Sequence, residues 1–172
     1  GIAGDHVRSM QHKGIITLNN PDFEITANDV NRLHEDMFKI ATQPGTEIIH
    51  VLPQEYTVDA QAGILDPIGM SGVRLEGNFH IVTGQTTAAN NIYKCVVRAG
   101  LEVSELILEP LASSSAVLTQ EEKEAGVCLV DIGGGTTDIA VFEDNIIRHT
   151  AVIPFGGNIV TDDIKHGFKV MK

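Results

Sequence analysis

The groups in this sequence best able to do chemistry are concentrated in Asp131-Ile132-Gly133-Gly134-Gly135-Thr136-Thr137-Asp138. An apolar run rich in β-branched residues ends on the first carboxylate, and a second run, Ile139 to Phe142, leaves after the last. The spacing predicts a strand, a tight glycine turn and a strand. Glycine reaches φ > 0 without strain and has no Cβ to hold a ligand off the backbone. Successive N–H groups at such a turn make a concavity for anions. Thr136 and Thr137 add neutral hydroxyl donors, and Asp131 is suited to hold Mg²⁺ through the ion's waters. Phosphate with magnesium is the ligand that this chemistry suits. The plain alternative is a hairpin whose glycines only serve the turn.

The pattern excludes two commoner phosphate loops. No Gly-Lys-Ser/Thr follows, so this is not a P-loop, and no Gly-x-Gly-x-x-Gly opens a helix, so it is not a dinucleotide fingerprint. What remains resembles the phosphate hairpin of the actin-like ATPases.

Two further stretches stand near it in the chain. Glu109 follows the strand-like Val103 to Leu108 and precedes Pro110 and a small-residue helix from Leu111 to Leu118. A carboxylate there either orients an attacking water or only favours the helix dipole. Pro154-Phe155-Gly156-Gly157-Asn158 leads into a helix carrying Ile159, Ile164 and Phe168. Its glycines either let a sugar or base approach the backbone or only let the helix pack.

The elements that must position these residues follow from the pattern. Val127 to Ile132, Thr137 to Phe142 and Ile146 to Val152 read as a three-strand meander with a turn at Asp144-Asn145. Ahead of it, Ile92, Cys95, Val96 and Ala99 form an apolar helix stripe stopped by Gly100, and Val103 to Leu108 reads as a buried strand. Helix then strand implies an α/β layer.

The first 83 residues have a different texture. Ile2 to Met10 and Ile15 to Leu18 read as strands around a turn at His12-Lys13-Gly14. Thr26-Ala27-Asn28-Asp29 matches a capping box, and Val30, Leu33, Met37 and Ile40 recur at helical spacing until Gln43-Pro44-Gly45. Ile48 to Val58 is β-rich but carries Pro53, which predicts an edge strand or a bulge. A loop from Asp59 to Gly72 follows, and Val73 to Ile81 alternates as a strand with one wet face. This strand-helix-strand-strand order offers no carboxylate pair or nucleophile and suits a small binding module.

With 172 residues, 42% of them hydrophobic, the chain can bury a core in one or two domains. Its net charge of −11 argues against a nucleic-acid partner, which needs clustered Lys and Arg. A nucleotide site remains open, because backbone amides and a cation can neutralise phosphate. Glu121-Glu122-Lys123-Glu124 reads as a solvated surface stretch. Cys95 and Cys128, each in an apolar pattern, are predicted to be buried and reduced, as suits a cytoplasmic protein. The histidines lack zinc-ligand spacing, and no apolar run reaches the roughly 20 residues of a membrane span. The sequence opens at Gly1 on strand-like residues and reaches Lys172 inside an apparent helix, as a piece of a longer protein would.

Several stretches together suggest a family. They are His50-Val51-Leu52-Pro53-Gln54-Glu55-Tyr56, Asp66-Pro67-Ile68-Gly69-Met70-Ser71-Gly72-Val73-Arg74-Leu75, Gly126 to Asp138, Arg148-His149-Thr150 and Gly156 to Ile164. With them the sequence resembles the FtsA family of bacterial cell-division proteins along essentially its whole length. That resemblance implies a mixed α/β and α+β chain, part of an actin-like (ribonuclease-H-like) ATPase fold with a family-specific inserted strand-helix-strand-strand subdomain. It assigns residues 1–83 to that insert, an interaction module, residues 84–119 to the end of the first actin-like domain, and residues 120–172 to the start of the second. It implies ATP and Mg²⁺ as cofactors, with Asp131 near the metal through water. Gly133, Gly134, Gly135, Thr136 and Thr137 would be the phosphate hairpin, and Gly156, Gly157 and Asn158 a loop on the nucleoside side. Glu109 matches a water-orienting position in related chaperones.

For the whole protein the resemblance implies a role at the cytoplasmic face of the inner membrane. Such a protein self-associates into polymers, anchors the FtsZ ring and recruits later division proteins through residues 1–83, with the membrane reached by a C-terminal helix. The alternative is an ATP-hydrolysing enzyme of the same superfamily, a chaperone or a small-molecule kinase. On either reading the 172-residue piece is expected to be inactive by itself and to bind ATP weakly or not at all, because half of a two-walled cleft holds little.

Overall fold

A computed structural model of the chain describes residues 1–18 and 24–169. These divide into two compact units, one of Ser9–Thr83 and one of Gly1–Arg8 with Gly84 onward. The expected continuation of a helix to Lys172 falls outside the described residues.

The Ser9–Thr83 unit is built from strand β1 (Val7–Thr17), helix α1 (Ala27–Met37) and strands β2 (Thr46–Val58), β3 (Gln61–Ile64) and β4 (Arg74–Gln85), with β1 and β4 running past its ends. The sheet order is β1-β4-β2-β3. Helix α1 starts where the sequence says it should. The Thr26 side chain accepts from the Asp29 N–H, and the Asp29 carboxylate accepts from the Thr26 N–H at 3.0 Å, which completes the capping box. The helix then buries Leu33 and Met37 against Ile16, Val51, Tyr56, Leu75, Phe79 and Ile81 of the sheet.

Four expectations for this unit are corrected. β1 is continuous through His12-Lys13-Gly14. Gly14 is there for space: a Cβ on it would stand 2.8 Å from Leu33 Cδ1 and 2.7 Å from Met37 Cε, so the glycine lets α1 lie close to the sheet. The supposed loop of 59–72 contains the short strand β3, reached through Asp59 in the left-handed region at φ 53°. β2 lies inside the sheet, yet its ladder with β3 runs only from Tyr56 to Val58, with a bulge, so Pro53 stands clear of that ladder. The outer face of β4 is also covered. Glu76 and His80 are buried because Lys13 and Arg74 pair with Glu76, and Gln11 lies 3.3 Å from His80 Nδ1.

The other unit carries helices α2 (Thr86–Arg98), α3 (Glu109–Val117) and α4 (Gln120–Ala125), strands β5 (Val127–Ile132), β6 (Thr137–Glu143) and β7 (Ile146–Ile153), and helix α5 (Gly157–Phe168). The three strands form the expected antiparallel meander, β5-β6-β7. Asp144 and Asn145 turn between β6 and β7 with φ of 54° and 62°, the pairing favoured in two-residue hairpins. α2 ends at Ala99, followed by Gly100 at φ +77°, again as the pattern predicts.

Two expectations for this unit fail. The stretch 101–107 takes no regular structure. Its end is held by a parallel bridge of Leu108 to Ile2, with the Ile2 N–H donating to Ile107 O and the Glu109 N–H to Ile2 O, each at 2.8 Å. β-branched sequence makes a strand only where a neighbouring backbone can complete a ladder. Cys95 and Cys128 are exposed, so an apolar neighbourhood in sequence did not guarantee burial.

Candidate functional site

The β5–β6 register sets Asp131 opposite Asp138 and Ile132 opposite Thr137, leaving Gly133 to Thr136 as the turn. The Gly133 N–H donates to Thr136 O at 2.9 Å and closes it. The expected positive φ is not found. None of Gly133, Gly134 and Gly135 lies in the left-handed region, so backbone handedness does not account for these glycines.

The space is used by α5. Its first amides, Gly157 N–H and Asn158 N–H, donate to Gly133 O and Gly134 O at 2.9 Å. A Cβ on Gly156 would lie 2.4 Å from Gly133 O, and one on Gly134 would lie 3.3 Å from Asn158 Nδ2. The structure therefore brings both glycine motifs into one site, locked backbone to backbone. It also shows that the close approach at Gly156 is to the chain's own carbonyls, and that the first turn of α5 spends its donors there. Gly135 differs. A Cβ on it would meet nothing within 4 Å. Among the described residues no acceptor takes the N–H of Gly134 or Gly135.

The hydroxyls flanking the turn are engaged inside the chain. Thr136 Oγ1 donates to Asp138 Oδ2 at 3.0 Å, and Thr137 Oγ1 donates to Phe155 O at 2.8 Å. Their protons are thus committed to building the site and not offered outward. Asp138 is buried, and its Oδ1 has no hydrogen-bond partner among the described residues. Asp131 is half-buried, and its Oδ2 accepts from Ser113 Oγ on α3 at 3.0 Å. Glu109, the first residue of α3, is exposed and one helical turn ahead of Ser113. Ser113 and Asp138 take part in the site without having been singled out in the sequence. Asp138 stood in the motif, while nothing local marks Ser113.

The donor set suits a magnesium ion held mainly by its own waters. Mg²⁺ binds through one or two carboxylates plus substrate phosphates and seldom through an all-protein cage. Asp131 offers one carboxylate, and no cluster of three or more metal-binding side chains exists among the described residues.

The profile described as "SHS2 domain inserted in FTSA" matches residues 4–83, and that described as "Cell division protein FtsA" matches residues 128–172. The chain is 52% identical to cell division protein FtsA of Pseudomonas aeruginosa over 95% of its length, and 47% identical to that of Neisseria meningitidis over 98%. The chain belongs to the FtsA family. Its identity to the FtsA of Escherichia coli K12 is 43% over 97% of its residues. Against these FtsA proteins the chain spans about two fifths of their length, 39%, 40% and 39% in the order named. A solved structure titled "PilM-PilN type IV pilus biogenesis complex" overlays with a TM-score of 0.62, covering 95% of this chain and 44% of that one. At 14% identity that likeness concerns the fold alone. No helix among the described residues is long and apolar enough to cross a membrane.

Proposed function

We propose that the β5–β6 turn grips the phosphates of ATP, with Asp131 serving the waters of its Mg²⁺, in a division protein that polymerises on the membrane, anchors the FtsZ ring and recruits later division proteins. The observation that carries the nucleotide part is the contrast among the glycines. Packing accounts for Gly156 and contributes at Gly134, but neither backbone handedness nor any neighbour requires glycine at Gly135. A residue free to be larger, beside amides that no internal acceptor takes, fits a surface kept open for an anion. The family membership supports the cellular role, and the exposed Ser9–Thr83 surface is the part we assign to division partners.

ATP acts here as a conformational ligand that favours filament formation. The test uses full-length protein and a fluorescent ATP analogue with Mg²⁺. Gly135→Val weakens binding at least tenfold and abolishes nucleotide-dependent pelleting, while the protein's melting temperature without nucleotide is unchanged. Unaltered binding by Gly135→Val would remove the proposal.

A further inference from the structure

The geometry points to Ser113 as the positioning residue for Asp131, setting which carboxylate oxygen faces the magnesium. This inference rests on the nucleotide reading above and adds to it a residue on another element. Helix α3 carries three consecutive serines. Ser114 Oγ and Ser115 Oγ turn back onto Leu111 O at 2.8 and 3.2 Å, the usual habit of serine inside a helix. Ser113 Oγ instead leaves the helix and donates to Asp131 Oδ2 at 3.0 Å.

A carboxylate left alone rotates about its last torsion, whose wells are broad. A donor on one oxygen fixes the plane and leaves Oδ1 as the oxygen to meet the ion's water. The chemical type of the donor also fits the task. A hydroxyl is neutral, so Asp131 keeps its full negative charge, whereas a Lys or Arg at the same place would neutralise it and compete with the cation. Ser113 also ties the hairpin to the helix that begins at Glu109, one turn earlier on the same face.

The experiment titrates Mg²⁺ into full-length protein at fixed fluorescent ATP analogue and reads the Mg²⁺ concentration giving half-maximal binding. Ser113→Ala raises that concentration on the order of tenfold, as loss of an outer partner of a ligand does. Ser113→Thr, which keeps the hydroxyl, stays near wild type. Binding of the analogue in EDTA is the same in all three. In the Asp131→Asn background, Ser113→Ala has no further effect, because its action runs through that carboxylate. Wild-type magnesium dependence in Ser113→Ala, or an equal loss of binding in EDTA, overturns the role of Ser113 alone. A wild-type protein whose nucleotide binding ignores Mg²⁺ overturns the metal part of the nucleotide reading, and this inference with it.

Discussion

Gly156 stands so close to Gly133 that a single methyl group on it would lie 2.4 Å from the Gly133 carbonyl oxygen, the same oxygen that accepts from Gly157 N–H at 2.9 Å. The junction of α5 with the hairpin is therefore a contact between two backbones. No side chain can rotate away to make room. Gly156→Ala should cost about 2–3 kcal/mol, the upper part of the range for overpacking. The check is urea denaturation of the chain followed by circular dichroism, and a midpoint equal to wild type would contradict the packing described.

Gly135→Ala is the matching control. Its Cβ would enter open space, and its φ lies outside the left-handed region. Stability should stay within about 0.5 kcal/mol of wild type, as for surface substitutions clear of special features. The same pair of denaturation curves measures both variants. If Gly135→Ala destabilised as much as Gly156→Ala, the argument that an external ligand keeps Gly135 small would lose its support.

These two glycines also show what the sequence could and could not convey. The hairpin, the meander with its Asp144-Asn145 turn and the Thr26–Asp29 capping box were readable because each is written within a few neighbouring residues. The reason for each glycine was not. Handedness and close packing leave the same letter in the chain, and only the fold reveals that α5 presses on Gly133. Gly14 misled in the same way, reading as a turn when it is a flat place for α1. Val103 to Leu108 had strand-forming composition, but a ladder depends on a second backbone that composition cannot supply. Ser113 lies 18 residues from Asp131, so no local spacing linked them.

The buried face of β4 predicts a pH dependence. The hydrogen bond from Lys13 holds the Glu76 carboxyl below the usual carboxylate range; burial opposes this, and the charge of Arg74 reinforces it. A carboxyl whose pKa is depressed on folding contributes stability above its unfolded value, about 4.3, and loses it as the pH falls through the folded value. The Ser9–Thr83 unit should therefore weaken on acidification from about pH 5 downward, and Glu76→Gln should flatten that part of the profile. Denaturation midpoints between pH 3 and pH 7, read from tyrosine fluorescence in a Tyr93→Phe background so that Tyr56 alone reports this unit, provide the measurement. A Glu76→Gln profile parallel to wild type would contradict the assignment.

Helix α1 separates local from tertiary contributions in one element. Thr26 satisfies an amide at its start, while Leu33 is wholly enclosed, at 0% exposure, between the helix and the sheet. Removing the cap in Thr26→Ala should cost about 1 kcal/mol. Leu33→Ala should cost about 2–5 kcal/mol, because it leaves a space in the buried cluster that Leu33 shares with Phe79, Leu75 and Val51, strand residues that cannot shift to fill it without disturbing the sheet. The ratio matters more than either figure. If the unit's stability came chiefly from helix propensity and capping, the two losses would be alike. A Leu33→Ala loss at least twice that of Thr26→Ala, measured by denaturant titration, places the stabilisation in the contact between α1 and the sheet, where Gly14 makes the approach possible.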